Sequence, residues 1–148
     1  MAKLLIVDDH EVLAASLAFV LDGVEEEAAH LEDVLARARA IDEAVAAMGL
    51  ADLFVTTLST EELNGAGKPA PDVYLEVCRR IGVDPRSSVA VEDAHNGILS
   101  ARAAGLRVVA IPPHFNPPPA STLALADVVL DSLDDLTTDL VAGLLDLA

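Results

Sequence analysis

Cysteine, aromatics and lysine are all scarce in this chain. Cys78 is the one cysteine in 148 residues, so no disulfide can form within the chain. No Cys/His spacing of the zinc-binding kind is present either. Aromatic residues make up 3% and tryptophan is absent, so a core here has to be built from Leu, Val, Ala and Ile. Positive charge is short as well. Nine Lys plus Arg face 25 Asp plus Glu, a formal net charge of −16. Such a chain repels phosphate backbones, which excludes nucleic acid as a partner. No apolar run approaches the roughly 18 residues of a membrane span. The opening has one lysine followed by acids, unlike a signal peptide, so the cytoplasm is the expected compartment.

What is present is globular. Hydrophobic residues make up 53% and charged residues 23%, and 148 residues suit one domain. Leu4 to Asp8 is a short continuous apolar run that ends in the acids Asp8 and Asp9. An uninterrupted run of this length fits a strand buried on both faces of a parallel sheet. Helical spacing follows over 12–21 and again over 31–48, the second stopping at Gly49. Strands are then expected at 53–57, 88–91, 106–111 and 127–130, with helices at 73–81, 96–104 and 136–147. Alternation of this kind implies right-handed βαβ units around a parallel sheet. The stretch 10–52 holds two helical patterns where one crossover helix suffices. With Glu25-Glu26-Glu27 poor strand material, a small helical side element is expected there.

Ligand sites in open parallel sheets lie beyond the carboxyl ends of the strands. Asp8 and Asp9 end the first expected strand, and Glu92 and Asp93 follow a later one. Carboxylates converging on one crevice repel one another unless a cation neutralises them, and hard oxygen ligands suit Mg²⁺ beside a substrate phosphate. Equally, acids at strand ends serve to cap helices or face water. Lys68, one of two lysines, sits in the Gly/Pro-fixed loop Gly67-Lys68-Pro69-Ala70-Pro71-Asp72, where it could offset those acids and hold a phosphate oxygen. The loop lacks the glycine spacing and the Ser/Thr of a P-loop.

Gly67 to Glu76, then Val91-Glu92-Asp93-Ala94-His95-Asn96-Gly97-Ile98, then Ala101 to Gly105 closely resemble haloacid dehalogenase-like hydrolases, of the β-phosphoglucomutase and phosphoglycolate phosphatase branch. The resemblance covers roughly residues 41–136. It implies a three-layer Rossmann-like α/β fold with a mostly parallel sheet of about five strands. It further implies that Lys68 steadies the transferring phosphoryl group, that Glu92 and Asp93 hold Mg²⁺, and that Asp8 is the nucleophile forming an aspartyl-phosphate.

The front of the chain departs from that pattern. The family's first motif is Asp-x-Asp, its second Asp acting as general acid and base. Here His10 stands two residues after Asp8 and becomes the candidate proton carrier. The family's Ser/Thr motif has no clear counterpart, although Thr56 and Thr57 could stand in. The helical cap is absent or reduced to 11–35. Residues 3–40 instead resemble the start of a response-regulator receiver domain, in which an acidic pair such as Asp8-Asp9 binds Mg²⁺. The later receiver landmarks fail, since the strands at 53–57 and 106–111 end in Thr57 and Pro112.

The expected protein is one α/β domain over 1–148, a chimera of a receiver-like first βα unit (1–40) and a phosphatase-like core (41–148). The expected function is Mg²⁺-dependent hydrolysis of a small phosphomonoester. Asp8, Lys68 and His10 are the catalytic candidates, and Asp8, Asp9, Glu92 and Asp93 the metal ligands. Impaired turnover follows from the missing groups. Two alternatives stand beside it: a non-catalytic scaffold, and a receiver-like phosphoacceptor. Of the remaining residues, Cys78 is expected in the core and His30 and His114 in solvent. Asn96 is expected as a helix cap, and His95 either at the site or merely at a helix start. Substrate identity and oligomeric state stay open.

Overall fold

The computed structural model describes residues 67–146, together with 42–43, 45–47, 49, 54–58, 63 and the backbone of 4–6. Four strands form one sheet in the order β1-β2-β3-β4. These are β1 (Leu4–Ile6), β2 (Val89–Glu92), β3 (Arg107–Ala110) and β4 (Val128–Val129). Every pairing is parallel, with Ile6 opposite Val91 and Glu92 opposite Ala110. The helices are α1 (Asp72–Ile81), α2 (His95–Ala104), the single turn α3 (Ala120–Leu123) and α4 (Thr138–Asp146).

The period-2 alternation of side chains divides the strands between two cores. Ala90, Val108 and Ala110 face α1 and α2, where they meet Val73, Tyr74, Val77, Cys78, Ile98 and Ala101. Val89, Val91 and Val109 face the other way and meet Val141 and Leu144 of α4. Both faces are therefore covered, which is why consecutive residues Val89-Ala90-Val91 and Val108-Val109-Ala110 are all apolar. Burying each Val or Ile fully contributes about 1.5–3 kcal/mol. Cys78 lies within the first core, and burial pushes its thiol pKa up against the opposing pull of a hydrogen bond with Ser88.

The helix ends follow the expected glycines. Gly82 (φ 69°) and Gly105 (φ 90°) adopt the left-handed conformation just past α1 and α2. In each case the next residue's N–H reaches back into the helix, Val83 to Cys78 O at 3.0 Å and Leu106 to Ala101 O at 3.1 Å. Asp127, just before β4, joins three elements. It accepts from Arg102 on α2 (2.9 Å), from Arg107 on β3 (3.1 Å) and from the Val108 N–H (2.8 Å).

Two expectations change. The strand expected at 53–57 is not formed at the described residues 54–57. Phe54 and Val55 are 41% and 76% exposed, while Leu58 packs on the first core, so the described residues 54–58 form a loop. The described residues thus contribute four strands to the sheet. The last helix begins at Thr138, not Leu136, because a 3₁₀ turn at Leu133–Asp135, capped by Ser132, takes up the chain first. Helical residues at 42–43 and 45–47 before Gly49 agree with the pattern read over 31–48. The helix expected at 12–21 and the question of 24–30 lie outside the described residues.

On the surface of α1, Glu76 receives Arg79 (2.7 Å) and Arg80 (2.9 Å). Hydrogen bonds from those two guanidiniums hold its carboxyl pKa down to about 2. A folded pKa below the unfolded one stabilises the fold above the unfolded pKa, and this contribution disappears as pH falls toward 2. A carboxyl NMR titration should find Glu76 anionic throughout the mildly acidic range, with a midpoint that rises in Arg79→Ala.

Candidate active site

Glu92 is the final residue of β2 and shares its face with Ala90, so alternation turns its carboxylate toward α1 and α2 rather than to water. It is 3% exposed. A buried carboxylate needs compensating donors. Lys68 supplies one, its Nζ standing 2.8 Å from Glu92 Oε1 with both side chains almost wholly buried. Tyr74, buried on α1, donates its hydroxyl to the same oxygen. The Lys68 Nζ also lies 5.6 Å from the Tyr74 ring centroid, within cation–π range.

The Lys68 loop is held by short-range contacts. A turn closes from Ala70 N–H to Gly67 O at 3.1 Å, and the Lys68–Pro69 peptide is cis. Ser100, buried on α2, donates to the Ala70 carbonyl at 2.6 Å and so ties this loop to α2. The N-cap of α2 is Ala94, which has no side-chain oxygen to satisfy the helix's first N–H groups. The Glu92 carboxylate packs instead against Gly97 in that first turn, where negative charge is favoured by the helix dipole. A Cβ at position 97 would overlap the carboxylate.

Asp93 follows Glu92 directly and is half-buried. His95 opens α2 at the same edge, exposed, with Nδ1 2.7 Å from the hydroxyl of Thr122 on α3. β1 ends level with β2, since Ile6 pairs with Val91. The strand ends therefore converge where the sequence placed the acids. Asp8, Asp9 and His10 themselves lie outside the described residues.

Several sequence expectations can now be placed. Lys68 and Glu92 are brought together, though as an ion pair: Glu92 Oε1 already accepts from Lys68 and Tyr74. Thr56 and Thr57 do not supply a hydroxyl to Lys68. Thr57 donates to Asp42 at 2.6 Å and Thr56 to the Thr57 carbonyl at 3.3 Å. Asn96 is the second residue of α2 and not its cap. His114 is exposed in the proline-rich loop, as expected. Tyr74 and Thr122 were missed. Tyr74 reads in sequence as one more apolar position on its helix. Its hydroxyl was the available signal, because a buried tyrosine needs a partner.

The donors at this edge are hard carboxylate oxygens, the kind Mg²⁺ takes. Among the described residues, no three or more His, Cys, Asp or Glu are gathered as a metal site. Asp93 meets the requirement of a carboxylate at the sheet edge. Glu92 fits it less well, because one of its oxygens is taken up by the ion pair.

Comparison with known proteins agrees with this architecture. Residues 35–105 match the sequence model of the haloacid dehalogenase-like hydrolases. Hexitol phosphatase B of Escherichia coli K12 is 36% identical over 104 residues, covering 70% of this chain and 46% of that protein. Protein CbbY of Rhodobacter capsulatus is 44% identical over 64 residues, covering 43% of this chain and 28% of that one. A family hydrolase from Deinococcus radiodurans, solved with bound phosphate and sodium, superposes with a TM-score of 0.59 at 29% identity, covering 74% of this chain and 49% of that one. The chain thus spans about half the length of the hexitol phosphatase and of this hydrolase.

The ion pair makes two outcomes measurable. Lys68→Met leaves Glu92 buried without its counter-charge and should lower unfolding stability by about 3–5 kcal/mol. The double variant Lys68→Met/Glu92→Gln removes both charges while keeping an acceptor for Tyr74. It should be more stable to urea than Lys68→Met alone. Gly97→Ala forces the carboxylate to move and should cost on the order of 1–3 kcal/mol in the same assay; a neutral result would mean that Glu92 occupies another rotamer.

Proposed function

We propose that this chain is the core of a Mg²⁺-dependent phosphatase of the haloacid dehalogenase class, acting on a small phosphomonoester. The observation that carries the reading is Lys68 held on Glu92, beside Asp93, at the carboxyl edge of a parallel sheet. The similarity to hexitol phosphatase B supports the substrate class. We further propose that residues 1–148 act as one α/β unit, with a receiver-like first βα unit at 1–40.

In this reading Asp8 attacks phosphorus through a carboxylate oxygen. The ester P–O bond breaks, and the alcohol leaves with a proton supplied from His10. Water then attacks the aspartyl-phosphate as it returns a proton to His10, and the acyl-phosphate P–O bond breaks, releasing inorganic phosphate and restoring Asp8. Lys68 balances the negative charge of the phosphoryl oxygens during transfer. Glu92 fixes Lys68, and Tyr74 fixes Glu92. Asp8, Asp9 and Asp93 would hold Mg²⁺, with Glu92 contributing only if its bond to Lys68 loosens. When bound, the ion offsets the charge of the carboxylates and of the phosphate together.

A second reading is favoured by one observation. The Thr56 and Thr57 hydroxyls are engaged away from Lys68, so neither of these two stands in for the family's Ser/Thr. That suits a non-catalytic scaffold keeping the fold alone. Phosphate release from a panel of phosphomonoesters, with and without Mg²⁺, separates the two. The phosphatase reading expects turnover that needs Mg²⁺ and is lost in Asp8→Asn. With the second motif aspartate missing, the rate should fall about 10²–10⁴-fold below that of an enzyme with full acid–base help. Turnover unchanged in Asp8→Asn overturns the mechanism, and no turnover on any ester favours the scaffold.

A further inference from the structure

His95 takes no part in the phosphoryl transfer described above, yet it is held at the same edge. It opens α2 two residues after Asp93 and three after Glu92, where the parallel strands end. The residue is exposed there. Its ring is nevertheless not free to swing, because Nδ1 stands 2.7 Å from the hydroxyl of Thr122.

The anchor is itself fixed. Thr122 is 3% exposed, on the single turn α3. Its N–H bonds to the Pro119 carbonyl at 2.8 Å, and the next residue, Leu123, packs on the first core. The chain reaches α3 from the carboxyl edge of the sheet, since the Ile111 N–H bonds to the Glu92 carbonyl at 2.8 Å before the proline-rich loop begins. A buried hydroxyl needs a partner, and among the described residues that partner is His95.

The two nitrogens of an imidazole point to opposite sides of the ring, and the bond made by one decides whether the other carries the proton. With Nδ1 on Thr122, Nε2 is turned away from α3. Among the described residues His95 makes no other hydrogen bond. A hydroxyl donating to Nδ1 leaves the proton on Nε2. Such an N–H is a fixed donor for an oxygen that can only accept, and the ionised oxygens of a phosphoryl group are of that kind.

We propose that His95 is a substrate-binding residue whose Nε2–H donates to a phosphoryl oxygen, and that Thr122 is the positioning residue that sets its ring. The proposal rests on the phosphatase reading, since it takes the carboxyl edge as the place of the phosphate. Lys68 supplies charge at that edge, and His95 supplies direction.

The test is a titration of the full chain with inorganic phosphate in the presence of Mg²⁺, at ionic strength held constant with chloride. Backbone amides and imidazole nitrogens are followed together by NMR. The His95 Nε2 resonance should move saturably, with the same dissociation constant as the amides of 93–97. His95→Ala, at an exposed position, leaves the core intact and should weaken that constant about tenfold, the loss of one hydrogen bond to a charged group. Thr122→Val should weaken it by a smaller factor and lower the share of His95 that carries its proton on Nε2, and Thr122→Ser should restore both. Saturable amide shifts that keep the native affinity in His95→Ala, or that leave Nε2 unmoved, overturn the proposal while the phosphatase reading stands. Thr122→Val matching the native chain in both readouts overturns the role given to Thr122. No saturable shift at 93–97 in the native chain removes the phosphatase reading and this proposal with it.

Discussion

The ion pair between Lys68 and Glu92 sets the terms for everything near it. Two opposite charges are removed almost entirely from water, and neither is tolerable there alone. Glu92 is buried because strand alternation turns it inward. Lys68 must then come to it from a loop, and that loop must be held. Ser100 and the Gly67–Ala70 turn do so. Tyr74 and the first turn of α2 complete the surroundings of the carboxylate. Breaking a buried pair costs far more than such a pair adds over a well-packed apolar replacement. The pair therefore serves position more than stability: it holds a lysine at the edge where the parallel strands end.

The parallel sheet supplies that edge. β2 and β3 are covered on both faces, so their side chains are committed to packing until the strands run out. Chemistry-bearing residues can only gather beyond the last apolar position. Glu92 and Asp93 mark that change on β2, and His95 opens α2 immediately afterwards. Asp127 and the arginines occupy the opposite edge. Both ends carry paired charges, Lys68 on Glu92 at one and Arg102 and Arg107 on Asp127 at the other, in a chain whose overall charge is strongly negative.

Much of this was legible in the amino-acid order. The apolar runs at 88–91 and 106–111 announced strands, and Gly82 and Gly105 announced the helix ends. Lys68, Glu92 and Asp93 stood out because charged residues follow apolar runs or sit in a loop fixed by Gly and Pro. What local pattern cannot express is pairing across the fold. Nothing in the spacing says that Lys68 meets Glu92, or that the Tyr74 hydroxyl closes on the same oxygen. The segment 53–57 has strand composition, but Phe54 and Val55 face solvent and Leu58 faces the core, an outcome decided by what the loop covers and not by propensity. Short elements such as α3 carry too few residues to leave a periodic trace.

β4 has only two residues, and one of them, Val129, is 48% exposed. Its outer side is the point where a foreign strand could add to the β4 side of the sheet. A ladder two residues long offers such a strand almost no purchase, and the exposed Asp131 follows it with a negative charge. Brevity and charge are both ways of blunting a sheet edge against templated self-association. The same acidity that sets this chain apart in composition therefore guards it against aggregation at that edge.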